Sequence, residues 1–155
     1  MHPHAQLLDK LFNALNQRDA AAMAACYHPD ATFHDIAFDL HGRKEIGDMW
    51  RMICTSDIRA TFEVVDANDS VARVSLIDDY TFSDTGRAVH NVIDSRFRFD
   101  HGLIVEQRDT CDPHAWGAMA IGGVGGFLAG RVPALRRRKA RRKLATFVAE
   151  HPERK

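Results

Sequence analysis

At Ile58 the chain exchanges the hydrophobic period of a helix for that of a strand, and it keeps the new period as far as Asp112. RATFEVVDAND, SVARVSLIDDYTFSDTG, RAVHNVIDSRFRFDHG and LIVEQRDTCD alternate apolar and polar residues. The links AND, SDTG and DHG carry the Asn, Asp and Gly that suit tight turns. Strands joined by links this short run antiparallel to their neighbours. The residues before Ile58 read differently. AQLLDKLFNALN sets Leu7, Leu8, Leu11, Phe12 and Leu15 at helical spacing, and Asn16 to Asp19 form a turn. DAAAMAACY opens on Asp19 as a helix cap, and Pro29 is expected to stop that helix. ATFHDI then reads as a strand, and KEIGDMWRMI as a third helix with Ile46, Met49, Trp50 and Ile53 on one face. Helices followed by a meander predict an α+β domain, with the helices on one face of a curved sheet.

Strand parity predicts which side chains face those helices. In VHNVIDSRFRF the apolar set is Val89, Asn91, Ile93, Ser95, Phe97 and Phe99, which leaves His90, Val92, Asp94, Arg96 and Arg98 outside. The matching inner sets are Val74, Leu76, Asp78, Tyr80 and Phe82, and then Leu103, Val105, Gln107, Asp109 and Cys111. Asp35 interrupts the apolar side of ATFHDI in the same way. Polar residues thus recur on the inner face: Asp35, Asp78, Asn91, Gln107 and Asp109. An unpaired buried carboxylate is costly, so this grouping predicts a wet pocket lined by carboxyl groups of raised pKa.

A chain of 155 residues with 45% hydrophobic and 27% charged residues fits one domain with a core of its own. Cys26, Cys54 and Cys111 are odd in number and unpaired in spacing, as in a reducing compartment. The first residues lack the charged and apolar parts of a secretory signal, so a cytoplasmic protein is expected. Net charge is zero, but unevenly spread. Residues 1–130 hold 11 basic and 19 acidic residues, and residues 131–155 hold 10 and 2. The Gly-rich run 115–130 is uncharged, and a very basic helix with an apolar stripe of Ala140, Leu144, Phe147 and Val148 follows it. Packing of that stripe on the acidic body or on a second subunit ranks first, membrane-surface binding second and nucleic acid last, for want of interleaved aromatics.

The ordered set LNQRD, HPDATFHD, HGRKEIGDMW and VIDSRFRFDHGLIVEQRD, across residues 5–116, resembles the nuclear-transport-factor-2-like superfamily in its SnoaL-like and ketosteroid-isomerase-like branch. The resemblance implies a cone-shaped α+β roll. Three N-terminal helices pack on a strongly curved, mixed and mostly antiparallel sheet, and a pocket opens at one end. Here residues 1–116 would form the cone, and 117–155 a Gly-rich segment and basic helical extension packed on the domain or dimer. The resemblance also implies acid/base chemistry on an apolar small molecule, of isomerase, cyclase, dehydratase or hydrolase type, and a homodimer paired through the convex face around Ile77, Val92, Arg96 and Arg98.

Carried over by position, Asp35 falls at the isomerases' base, and Asp109 where cyclase relatives keep an acid/base residue. Leu11 stands where the isomerases have a tyrosine and Ser95 where they have a protonated acid, so steroid isomerisation in its known form is not implied. The expected catalytic pair is Asp35 and Asp109, with Trp50, Asp78, Tyr80, Asn91, Ser95, Phe97 and Gln107 around the substrate. The alternative is a non-catalytic module that binds an apolar ligand or a protein. Nine histidines without metal-ligand spacing predict no metal, and the glycines of GGVGGFLAG lack a phosphate-loop context, so no cofactor is expected.

Overall fold

The computed structural model describes residues 1–153. Helix α1 (Pro3–Asn16) begins at His2, whose Nδ1 accepts the His4 N–H at 3.0 Å, with Pro3 in the first turn. Leu8, Leu11, Phe12 and Leu15 are its buried stripe. Asp19 caps α2 (Ala20–Ala24) by accepting the Ala22 N–H at 3.0 Å. Pro29 does not stop this helix. The chain is already extended at Tyr27, where β1 (Tyr27–His34) starts, and Pro29 lies where pairing of β1 slips between Tyr27 and Thr32. An irregular stretch tolerates a residue without an N–H. After β2 (Asp39–His41), Glu45 accepts the His41 N–H at 2.8 Å at the start of α3 (Arg43–Ile53), which buries Ile46, Met49 and Trp50.

Strands β3 (Arg59–Ala67), β4 (Val71–Phe82), β5 (Arg87–Asp100) and β6 (Leu103–Thr110) complete one six-stranded sheet in the order β2-β1-β6-β5-β4-β3. Only β1 and β6 pair in parallel, so the sheet is mixed and mostly antiparallel. Register shifts at Val64/Asp66 and Arg98/Phe99 add local twist and bend the sheet around the helices. Asn16 ties α1 to the edge strand β3: its Nδ2 donates to Ala60 O at 2.9 Å and its Oδ1 accepts the Ala60 N–H at 2.7 Å.

Parity holds along β5, where Val89, Asn91, Ile93, Ser95 and Phe97 are buried and His90, Val92, Arg96 and Arg98 exposed. It slips on β6. Across the Arg98/Phe99 irregularity Ile104 becomes the fully buried residue, in place of the expected Leu103 and Val105, and Gln107 and Asp109 recover the inner phase.

Three helices follow the sheet: α4 (Pro113–Ala120), α5 (Gly123–Arg131) and α6 (Pro133–Glu150). The Gly-rich run is helical because α4 and α5 touch backbone to backbone. A Cβ on Gly117 would lie 2.3 Å from Gly126 O, so only glycine fits. Arg87 anchors α4 by donating to Met119 O at 2.9 Å and Ala118 O at 3.3 Å. Helix α6 then returns across the end of the sheet where β1 and β6 finish. Buried Arg136 donates to Ala129 O, Gly130 O and Ile36 O, at 2.7, 3.0 and 3.1 Å. Leu144 joins the core, with Ala140 and Val148 against it, while Arg51 on α3 bonds His151 O and lies over the Phe147 ring.

Candidate functional site

The polar residues of the inner face gather at one end of the sheet because the register sets them opposite one another. Asp78 on β4 faces Asn91 on β5, and Ser95 on β5 faces Asp109 on β6. Asp109 Oδ1 accepts hydrogen bonds from Ser95 Oγ at 2.5 Å and from Gln107 Nε2 at 3.1 Å. Gln107 Oε1 accepts the Tyr27 hydroxyl, and that hydroxyl accepts Trp50 Nε1 at 3.1 Å. A chain of buried donors and acceptors therefore runs from α3 through β1 to the Asp109 carboxyl and fixes its orientation.

The neighbouring groups have different surroundings. Asp35 lies one residue beyond β1, and its Oδ1 accepts the Ala37 and Phe38 N–H groups at 2.7 and 2.6 Å, closing the turn into β2. Arg137 donates to the Asp35 carbonyl at 3.0 Å. Asp78 has no such support: its Oδ1 is buried without a hydrogen-bond partner among the described residues. The Tyr80 hydroxyl accepts Trp116 Nε1 at 2.8 Å, and the Asn91 side chain lies beside the Cys111 thiol.

Burial dominates the electrostatics. It pushes Asp78 up to about 8, with the charges of Asp109, Asp79 and Asp35 adding to it. It pushes Asp109 up to about 7, opposed by the Ser95 hydrogen bond and helped by the charge of Asp35. Asp35 is raised by burial too, but its two backbone N–H partners work against the rise. Tyr80 is pushed up to about 12, so it keeps its proton. As pH rises, the wall takes its first negative charge before Asp78 gives up its proton.

Seven of the nine expected residues come together here: Asp35, Asp78, Tyr80, Asn91, Ser95, Gln107 and Asp109. Trp50 and Phe97 lie deeper. Trp50 is edge-on to Phe33 with ring centres 5.9 Å apart, and Phe97 is edge-on to Phe12 at 6.3 Å. Tyr27 was outside the expected set, because DAAAMAACY reads as a helix through Tyr27 and its buried place on β1, between Trp50 and Gln107, depends on tertiary pairing. Arg136 and Arg137 had no sequence signal, since nothing in a basic run marks which members turn inward.

One cluster elsewhere has metal-ligand chemistry. His28, Asp100 and His101 bring one ligand atom each to within 4.8 Å of one another, near the β5–β6 turn at the other end of β6 from Asp109. His28 Nδ1 accepts the Asp30 N–H at 3.0 Å, so the neutral ring holds its proton on Nε2, facing Asp100. Asp100 thus lies between two imidazoles, 3.6 Å from His28 Nε2 and 3.0 Å from His101 Nδ1.

The curved sheet, the three N-terminal helices and the polar wall at the sheet's end define a SnoaL-like domain. A family model described as a SnoaL-like domain matches residues 8–107, and the chain belongs to that family. Solved structures share the fold. An NTF2-like protein of unknown function from Burkholderia pseudomallei superposes with a TM-score of 0.64 at 20% identity, over 72% of this chain and 92% of that one. An LEH-like epoxide hydrolase from M. tuberculosis gives 0.63 at 17%, over 86% and 95%. A Δ5-3-ketosteroid isomerase from Mycobacterium sp. gives 0.61 at 16%, over 70% and 92%. A search of curated proteins returns no significant match.

Proposed function

We propose that this chain is a small-molecule enzyme using acid/base chemistry on an apolar substrate that carries a carbonyl or related oxygen. The observation that carries the reading is the orphaned Asp78 oxygen on the same wall as Asp109. A buried carboxyl oxygen without a partner calls for an explanation, and a ligand atom that completes it is one. Asp109 is the group that moves the proton, because a pKa near the working pH serves both directions of transfer. Both of its hydrogen bonds fall on Oδ1, which leaves Oδ2 to meet the substrate. Asp109 takes a proton from the carbon next to the carbonyl, the electron pair moves onto the carbonyl oxygen, and the proton returns at a second carbon. Protonated Asp78 and Tyr80, whose hydroxyl proton is not used by Trp116, donate to that oxygen as it gains charge. Asp35 is the second carboxylate, and its negative charge helps keep Asp78 protonated. That the family fold also occurs in an isomerase and an epoxide hydrolase supports the reaction class.

The test is a screen of enolisable ketones, lactones and epoxides, followed by Asp109→Asn on whichever compound turns over. Loss of roughly 10²–10⁴-fold in kcat is expected. Unchanged turnover would remove Asp109 from the chemistry, and tight binding without turnover in wild type would favour the holder of an apolar ligand. For assembly, we propose a homodimer through the convex face, where Val92 is 60% exposed between charged neighbours. Val92→Arg should then give a lighter species in sedimentation.

A further inference from the structure

The α5–α6 segment is built inside out. Its inward contacts use Gly126, Ala129 and Gly130, which are buried, while its large apolar residues face solvent: Val124 is 76% exposed, Phe127 53%, Leu128 44%, Val132 39% and Leu135 39%. The spacing is regular. Val124, Phe127, Leu128 and Arg131 lie on one face of α5, and Leu135, Arg138, Lys139 and Arg142 on one face of α6. The two faces meet at the corner formed by Val132 and Leu135. Arg131, Arg138, Lys139, Arg141 and Arg142 are exposed and make no ion pair among the described residues, whereas Lys143 on the inward side pairs with Asp84 at 2.9 Å.

We propose that this corner is a docking surface for an anionic lipid bilayer. Aliphatic and aromatic side chains beside unpaired cations match the two parts of such a surface, the acyl boundary and the negative headgroups. The two helices are joined by Val132 alone, in an extended conformation, so the apolar and basic faces follow one another across a bend. A second copy of this chain offers poor charge complementarity on its sheet, because Asp94 and Glu106 there are already paired with Arg73, Arg96, Arg98 and Arg108. Nucleic acid would favour stacking aromatics over Val and Leu. Among the described residues no helix is long and apolar enough to cross a membrane, so the contact is with the surface.

The experiment is flotation of the full chain with vesicles of phosphatidylcholine alone and of phosphatidylcholine with phosphatidylglycerol in equal parts. Binding is expected only to the mixed vesicles, falling as salt rises. Phe127→Ser with Leu128→Ser should weaken it about tenfold or more, and Arg138→Gln with Arg142→Gln about fivefold for each charge removed. Val65→Ser, an exposed apolar residue on the edge strand β3, should leave it unchanged. Three results would overturn the proposal: no binding at low salt, binding indifferent to the Phe127 and Leu128 changes, or sedimentation in which those changes split an oligomer and so assign the corner to a second copy. The glutamine pair supplies the answer if the serine pair folds poorly.

Discussion

Asp94 and Asp109 sit on adjoining strands, one residue out of register, on opposite faces of the same sheet. On the convex side Asp94 accepts Arg73 Nε at 2.7 Å and Arg96 Nε at 3.1 Å, and the Arg73 hydrogen bond leads in holding its pKa below the usual value. On the concave side Asp109 has only neutral donors, Ser95 and Gln107, and burial drives it up to about 7. The residue type is the same and the backbone is continuous. What differs is whether the neighbouring donors are exposed arginines or buried neutral groups, and that separates a permanent anion from a carboxyl that can exchange its proton near neutral pH.

The strongest way to break this contrast is kinetic. Asp109→Asn should lower kcat by roughly 10²–10⁴-fold and abolish the limb of the pH–rate profile near 7, while Asp94→Asn should do neither. Equal losses from both would mean that parity does not separate their roles.

Stability against pH gives the next largest effect. A carboxyl whose folded pKa is raised favours the folded state least where the unfolded chain is already ionised. The native state should therefore lose stability from about pH 4, where an unfolded carboxyl ionises, to about pH 8, the folded value for Asp78. Asp78→Asn should flatten that decline, with a gain on the order of 1–3 kcal/mol at the upper end in urea titrations.

The supports of Asp109 come third. Tyr27→Phe leaves Gln107 Oε1 and Trp50 Nε1 without their partner, at a cost of about 1–3 kcal/mol. It should also move the Asp109 midpoint, seen by carbon-13 NMR of the carboxyl; removal of a buried ring alone would not. The smallest effect belongs to the convex side. Asp94→Asn should change stability by less than about 1 kcal/mol, and the change should fade in high salt.

The α+β order and the concave wall were legible because each rests on a repeated period. Helical spacing in Leu8, Leu11, Phe12 and Leu15 and two-residue spacing in Val89 to Phe97 both survive small errors of boundary. Single irregularities were not legible. The slip that substitutes Ile104 for Val105 depends on pairing with β5, and the end of α2 at Ala24 depends on where β1 finds its partners. The Gly-rich run carried no helical signal because glycine has low helix propensity. Its helix comes from the Gly117–Gly126 approach, a contact between elements that composition does not reveal. Within the candidate site, the inward aspartates could be read from parity, whereas Tyr27 and Arg136 depended on tertiary neighbours.

Arg136 also bears on the order of events as the chain is made. Its guanidinium is satisfied by carbonyls of Ala129, Gly130 and Ile36, so it can settle only after the β1–β2 turn exists. A ribosome delivers α1 to β6 first and α6 last. Until α6 is in place, the core lacks Leu144 and the Asp35 carbonyl lacks its Arg137 donor. A chain cut before Arg136 would keep that gap, with apolar surface exposed and the usual hazard of sticking to its neighbours.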